Sequence, residues 1–395
     1  MRGRVSFGEL KRPSRIVHRL HAGGRVRLVI MESGARLRVL LAVIQAASSP
    51  GPRYRVLQYI PSFEAAGFDC TVWSMQTARS TARSVRSAEL SPAVRLGHRA
   101  LTWVQGGIFA ARVARAARRF DRVLLYRIPV PSAAVPALER WRPRILSDFD
   151  DALDAAEGET RGVAARLRQR ILRRGLFNLI RVSRVTITSN QRNADLVRAA
   201  GGRPAVVPTS IDTARVLFRD RRELAGPLPV VGWMGTPSTA PYLRAIEAPL
   251  VELKRRRPAI VRLVGAGANP FAGLDADIRP WRYDSEAADL HGFDIGLMPM
   301  PDTPWTRGKA ALKALQYAAS GAPTVASWTA TNVELLGEDA GTVFCHTSGD
   351  WVAALDDLLG DNDARSSRGR RGRQLVDRCY SVAVNAPRLI DLIRE

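Results

Sequence analysis

Residues 293–328 read FDIGLMPMPDTPWTRGKAALKALQYAASGAPTVASW, and the changes of pattern inside this stretch decide the fold class. Phe293 to Met300 is an apolar run closed by prolines, the pattern of a buried parallel strand at its carboxyl end. Trp305 to Lys309 follows as a loop with two cations, Arg307 and Lys309. Ala310 to Ser320, rich in Ala and Leu, predicts a helix stopped by Gly321 and Pro323. Thr324 to Trp328 predicts a second buried strand. Strand, basic loop, helix and strand make one right-handed crossover, whose helix N-terminus faces the crevice where such sheets bind ligands. Free backbone N–H groups and the positive end of the helix dipole favour phosphate there. Arg307 and Lys309 add full charge, Lys313 lies one turn further on the same face, and Gly308 lets a ligand approach the backbone. A solvated basic loop ahead of an ordinary helix would show the same charges.

The ordered pattern over residues 304–327, P-W-x-R-G-K-x-x-x-K-x-L-Q-Y-x-A-x-G-x-P-x-V-A-S, resembles the C-terminal half of retaining, nucleotide-sugar-dependent glycosyltransferases of family 4. The resemblance covers residues 38–395 and is stronger in the second half. It implies an α/β chain of GT-B architecture, two facing Rossmann-like doubly wound domains with a cleft between them. In that family a spaced pair of glutamates touches the donor sugar and the ribose; the corresponding residues here are Gly308 and Gln316. Gln316 keeps an amide able to hydrogen-bond a ribose diol, whereas Gly308 brings no carboxylate.

The 395 residues are enough for two domains with sizeable cores. Hydrophobic content of 46% and charged content of 25% are ordinary for a globular chain, but a net charge of +23 implies anionic partners: nucleoside diphosphates, acidic lipid headgroups or nucleic acid. Cys70, Cys345 and Cys379 are too far apart for a metal or disulfide framework, which fits a reducing cytoplasm. No apolar run approaches the ~20 residues of a membrane span, and the first residues lack the apolar centre of a signal peptide. The expected location is the cytoplasm, including the inner face of the plasma membrane.

Working outward, residues 1–36 form a basic stretch expected to be a disordered extension, with a membrane-surface arm as the alternative. Residues 37–217 are expected to form an acceptor-binding domain, 218–229 a linker, 230–379 a nucleotide-sugar-binding domain, and 380–395 a helix crossing back to the first domain. Arg38 to Gln45 is the first buried strand. Its exit loop, AASSPGPRYRV, places Arg53 and Arg55 at a helix start, where guanidinium groups can hold an acceptor phosphate or the donor diphosphate. Helix solvation by one of them is the alternative. Gly67 to Ser74 reads as a strand and Gln76 to Pro92 as a loop. Ala93 to Arg119 is a basic helix whose arginines face either solvent or a membrane. Asp121 to Ile128 is a strand delivering Arg127 to the crevice. Pro143 to Leu153 clusters Asp148, Asp150 and Asp151 at a strand's end. Asp150 stands where family relatives carry a histidine; a carboxylate there can accept the acceptor hydroxyl's proton or steady positive charge on the sugar. Asp151 is expected beside it, with helix N-capping as its alternative role. The D-x-D spelling also occurs in metal sites of the other glycosyltransferase fold, but the resemblance implies no metal. Thr160 to Ile180 is a basic amphipathic helix.

In the second domain Pro229 to Met234 predicts a strand, Gly235 to Pro237 a tight loop, and Ser238 and Thr239 the start of a helix. Small residues at such a turn bring backbone N–H groups to a phosphate, and Ser238 can also cap the helix. The Arg and Lys pair found here in many relatives is missing, which shifts the diphosphate onto Arg307, Lys309 and Arg53. Trp281 or Arg282 is expected over the base, with a core role as the alternative for the tryptophan. Asn332 and Glu334 match a family segment whose helix amides approach the donor phosphates. Arg368 to Arg373 reads as an exposed basic turn.

The function expected from this resemblance is transfer of a sugar from a nucleoside-diphosphate sugar to an acceptor hydroxyl, with retention of anomeric configuration. The acceptor classes are a glycan, a lipid-linked molecule or a small molecule. Asp150, Asp151 and Lys309 are the expected catalytic residues, with no cofactor or metal beyond the donor itself. Peripheral contact with an anionic membrane fits the charge. No nucleic acid is expected, since the charge is spread over helices without interleaved aromatics. The alternatives are another GT-B activity, such as nucleotide-sugar epimerisation, or a non-catalytic protein that binds anions or nucleic acid.

Overall fold

The computed structural model of the chain describes residues 36–46, 49–77, 80–81, 92–155, 163–337 and 341–395. The basic extension therefore lies outside the described residues apart from Arg36, as do much of the loop expected over 76–92 and the first residues of the helix expected from Thr160.

Among the described residues, twelve strands form two six-stranded sheets, every pairing in them parallel. The first sheet holds β1 (Leu37–Val43), β2 (Phe68–Ser74), β3 (Arg122–Tyr126), β4 (Ile145–Phe149), β5 (Val185–Thr188) and β6 (Pro204–Val206), in the order β2-β1-β3-β4-β5-β6. The second holds β7 (Val230–Met234), β8 (Ile260–Val264), β9 (Asp277–Arg279), β10 (Ile295–Met298), β11 (Thr324–Ser327) and β12 (Thr342–Cys345), in the order β12-β11-β10-β7-β8-β9. Each sheet grows to one side of its first strand and then resumes on the other. The break falls between β1 and β3 in one sheet and between β7 and β10 in the other, and such a break opens a crevice at the strands' carboxyl ends. The central strands are buried along most of their length, as continuous Val, Ile and Leu runs require when helices cover both faces.

Six helices matter for the site and its surroundings: α1 (Pro50–Arg55), α2 (Pro92–Ala116), α3 (Val163–Arg181), α4 (Leu312–Ser320), α5 (Asn362–Leu375) and α6 (Val382–Arg394). A helix joining two parallel strands must run back against them, so α2, α3 and α4 all begin at the carboxyl ends of the strands. The last helix, α6, places Ala386, Leu389, Leu392 and Ile393 in one core with Val39, Leu41 and Leu146 of the first sheet. Among the described residues no helix is long and apolar enough to cross a membrane.

Three segments differ from the reading of the sequence. The stretch read as a linker is packed onto the second domain. Arg221 is fully buried, donating to the carbonyl oxygens of Phe293 (2.8 Å) and Leu290 (3.3 Å), and Arg219 pairs with Asp294 (2.8 Å). Its Gly and Pro residues predict irregular backbone, but they do not reveal that two arginines satisfy carbonyls beneath it. The basic turn of Arg368 to Arg373 lies inside α5. A side chain on Gly369 would put Cβ 2.1 Å from the Gly321 carbonyl oxygen, and Arg373 donates to the carbonyls of Val216 and Ala319. Third, no helix starts at Ser238. Residues Ala240–Ile246 form a 3-10 segment with Pro241 in its first turn, and the Ser238 hydroxyl pairs with that of Thr236 (3.0 Å) instead of capping.

Candidate active site

The two crevices face each other across one cavity of about 640 Å³. The first domain supplies the loop after β1, Arg127 after β3, and Asp150 and Asp151 after β4. Gly51 in that first loop lies on the Tyr126 hydroxyl, which a Cβ would meet at 2.6 Å. Arg127 holds a left-handed backbone (φ 53°), a costly conformation for a residue with a side chain, and its amide donates to the Asp148 carbonyl (3.0 Å). Its guanidinium donates to Asp151 Oδ2 (2.7 Å) and lies 3.6 Å from Asp150 Oδ1. The Tyr126 hydroxyl donates to the same Asp150 oxygen (2.9 Å). Asp148 turns the other way, into a two-point pair with Arg55 (2.9 and 3.0 Å), so the three carboxylates do not converge on one point.

These surroundings drive the two cavity carboxyls apart. Burial and the charge of Asp151 push Asp150 up. Burial also works against Asp151, but Arg127 and Lys309 outweigh it and hold its carboxyl below the usual range. Of the two neighbours, Asp151 is therefore the stronger acid.

The second domain supplies the loop Met234–Pro237 after β7, Gly265 and Gly267 after β8, Trp281 after β9, and the first turn of α4. Ala311 precedes that turn with φ 49°, and no side chain caps it. Its free N–H groups therefore join the ammonium groups of Lys309 and Lys313 on one wall. Lys309 Nζ lies 3.8 Å from Asp151 Oδ1, linking the two walls. Burial and the neighbouring charge of Lys309 push Lys313 down to about 7, against the pull of Asp151. Its stem fits because Gly235 has no side chain: a Cβ there would lie 2.8 Å from Lys313 Cε. Gly265 (φ 81°) is likewise fixed by the Gly235 carbonyl, 2.3 Å from where its Cβ would be.

Toward the β9 side, Trp281, Glu286 and Gln316 line the cavity. Gln316 donates to the Tyr54 hydroxyl (2.8 Å), which donates to Glu286 Oε1 (2.7 Å). Trp281 Nε1 donates to Glu286 Oε2 (2.9 Å), and Arg53 donates to both oxygens (2.7 and 2.6 Å).

Of the residues singled out in the sequence, Asp150, Asp151, Lys309, Lys313, Gly235, Thr239, Gln316, Trp281 and Arg127 line the cavity. Arg53 and Arg55 are not free cations. Both are buried and spent on Glu286 and Asp148, and Arg55 also donates to the Val207 carbonyl (2.8 Å). Arg307 is exposed and forms a two-point pair with Asp302 (2.9 and 3.0 Å) outside the cavity. Gly308 is pressed against the first domain, where a Cβ would lie 2.4 Å from that of Ala152, and its carbonyl accepts from Asn193 (3.0 Å). Ser238 stops at Thr236, and Arg282 and Glu334 are exposed and away from the lining. Asn332 is fully buried and donates to the Ser327 carbonyl (2.9 Å). Sequence reading missed Glu286 and Tyr126. Glu286 opens a short helix after Ser285, where an acidic residue is ordinary, so no local signal marks it. Tyr54 sits within the R-Y-R segment, where the two flanking arginines carry the charge that a phosphate site needs.

No protein-family model matches the chain, and no curated protein matches it in sequence. Solved structures do. Sucrose-phosphate synthase from Thermosynechococcus elongatus superposes with a TM-score of 0.66 at 14% identity, covering 91% of this chain and 98% of its own. HepE of Anabaena, in complex with UDP and glucose, gives 0.57 at 14% identity over 91% and 100% of the two chains. An alpha-glucosyltransferase in complex with UDP and a 13-mer DNA containing a HMU base gives 0.58 at 12% identity, over 91% and 100%. Likeness at this level of identity concerns the fold, which is GT-B.

Proposed function

We propose that this cleft transfers a sugar from a nucleoside-diphosphate sugar to an acceptor hydroxyl, with retention of anomeric configuration. The observation that carries the reading is one cavity with cations on one wall and carboxylates on the other. Lys309, Lys313 and the uncapped turn of α4 face Asp150, Asp151 and Arg127. Solved structures of the same fold hold UDP with glucose and UDP-glucose, which supports a nucleotide sugar as donor.

In this reading the nucleoside lies against Gly265, Gly267 and Trp281, with the ribose at Gln316 and Glu286. The diphosphate rests between the loop after β7 and the first turn of α4. The sugar then points toward Asp150, Asp151 and Arg127. As the bond from the anomeric carbon to the diphosphate oxygen breaks, negative charge grows on the departing group, where both ammonium groups and the helix N–H groups stabilise it. Ionised Asp151 faces the positive charge left on the sugar. The acceptor oxygen bonds to the anomeric carbon from the face the diphosphate is leaving, and its proton passes to a diphosphate oxygen, so no enzymic nucleophile is needed. Asp150, which accepts from the Tyr126 hydroxyl, lies beside it and orients a sugar hydroxyl. The two lysines bring the positive charge that a divalent cation would otherwise supply. The acceptor is a glycan, a lipid-linked molecule or a small molecule, handled in the cytoplasm.

A thermal-shift screen of UDP, GDP, ADP and their hexose derivatives tests the binding step, because a ligand that binds only the folded chain raises its melting temperature. One nucleotide class should stabilise the protein, and its sugar should be released only with an acceptor present. If no nucleotide shifts the transition, the reading fails. Interconversion of free nucleotide sugars without transfer would favour an epimerase.

A further inference from the structure

The outward sides of α2 and α3 carry apolar residues where a globular surface is normally polar. On α2, Leu101, Val104 and Ile108 recur at helical spacing and are 52%, 60% and 59% exposed, while Phe109, Ala110 and Val113 on the opposite side are buried. On α3, Leu167, Ile171 and Leu172 are 57%, 41% and 40% exposed. The helices meet where Trp103 packs onto Gly175, close enough that a Cβ there would lie 2.6 Å from Trp103 Cη2. The helices therefore touch, with an apolar set exposed on each, and exposed apolar residues of that kind mark an interaction surface.

Charge narrows the choice of partner. Arg112, Arg115, Arg166, Arg170, Arg173 and Arg174 are exposed on the same two helices, and among the described residues no carboxylate forms an ion pair with any of them. A second copy of this chain would oppose arginine to arginine across a shared face, which like charges disfavour. Nucleic acid would leave the aliphatic side chains without partners, since these offer no stacking surface for bases. An anionic bilayer suits both features, taking apolar side chains at the headgroup–acyl boundary and guanidinium groups at its phosphates. Position agrees. Both helices begin at the carboxyl end of the first sheet, and the exposed apolar residues run from the cleft-side half, at Leu101 and Leu167, to the middle of α3 at Leu172 and just past the middle of α2 at Ile108.

We propose that the outward faces of α2 and α3 form a docking face for an anionic lipid bilayer, which presents a lipid-borne acceptor to the cavity. The naming of the acceptor rests on the transferase reading above; the docking face does not. The test is flotation of the full chain with vesicles of phosphatidylcholine alone or mixed with phosphatidylglycerol, beside thermal shift by nucleoside diphosphates. The chain should float with the anionic vesicles, less so at high salt. Val104→Asp with Ile108→Asp should abolish flotation. Arg170→Glu with Arg174→Glu should lower partitioning at least about tenfold, since each basic residue near a charged surface contributes roughly a fivefold factor. All variants should keep the nucleotide response of the wild type, which shows the fold intact. Failure of the wild-type chain to float would overturn the docking face, as would variants that float like it. So would self-association or duplex-DNA binding that Val104→Asp and Ile108→Asp remove in place of vesicle binding. Flotation without any nucleotide response would sink the transferase reading and leave the docking face standing.

Discussion

Lys313 reaches the cavity beside Trp233, its Nζ 5.5 Å from the ring centroid, where burial and Lys309 lower its pKa from 10.5 to about 7. In the unfolded chain the same ammonium is charged up to its ordinary range. Between about pH 7 and 10.5 the unfolded state therefore binds more protons, and this group's contribution to stability rises with pH across that window. A bound diphosphate reverses the local balance by favouring the charged form. Nucleotide affinity should be highest below about pH 7 and fall as pH rises above it, with one proton taken up on binding at pH 8. Calorimetry in buffers of different ionisation enthalpy reads that proton directly, and Lys313→Met should abolish it; an unchanged proton count in the variant would refute the assignment. Lys309→Ala tests the neighbouring ammonium. Among the described residues its one ion pair is long, 3.8 Å, so stability should change little, while turnover should fall about 10²- to 10³-fold, as for loss of one group that stabilises developing charge. Wild-type turnover would remove Lys309 from the reaction. Both lysines were legible in the sequence because a basic loop before a helix fixes their place whatever surrounds it. Arg53 and Arg55 were misread because their carboxylate partners lie far along the chain, at Glu286 and Asp148.

At the scale of elements, α4 shows what local pattern reveals and what it hides. Its stop was plain: Gly321 takes φ 85°, and a Cβ there would lie 2.4 Å from the Arg219 carbonyl oxygen. Gly321→Ala adds both a left-handed strain and that collision, so it should destabilise the second domain by more than about 1–2 kcal/mol in chemical denaturation. A smaller loss would mean that the irregular segment at Arg219 yields easily. The start of α4 was less legible. Alanine has the strongest preference for ordinary helix, yet Ala311 is left-handed, and the helix begins one residue beyond it. The surrounding loop, not propensity, fixes that residue. The basic segment in α5 misled for the opposite reason. A run of Arg, Ser and Gly is a poor helix former on its own, and the helix exists because Gly369 lets its backbone rest on that of Gly321. The two sheets, by contrast, were readable from buried strand runs separated by helices, since that alternation leaves few other architectures.

At the scale of the molecule, the contacts between the domains decide how the site closes, and these no local pattern could announce. Gly308 stands where the resemblance would place a carboxylate, and its backbone is instead pressed on Ala152 of the facing domain. Negative charge reaches the same region from the other side, as Asp151 Oδ1 lies 3.8 Å from the ammonium of the next residue, Lys309. A carboxylate of the facing domain thus lies beside this loop. The latch at the β9 side is the buried pair of Arg53 and Glu286, with side chains 8% and 3% exposed, joined to Tyr54, Trp281 and Gln316. Removing Glu286 alone would leave a buried guanidinium without its counter-charge. Glu286→Ala should therefore cost about 3–5 kcal/mol of stability and weaken nucleotide binding, because the same residue lines the cavity. Arg53→Met combined with Glu286→Leu replaces both charges with apolar groups of similar size and should recover most of that stability without recovering nucleotide affinity. Denaturant unfolding of Arg53→Met, Glu286→Leu and their combination closes a cycle whose coupling should be large and favourable. A coupling near zero would mean that the pair does not bridge the domains in solution, and the closed cleft would then need another cause.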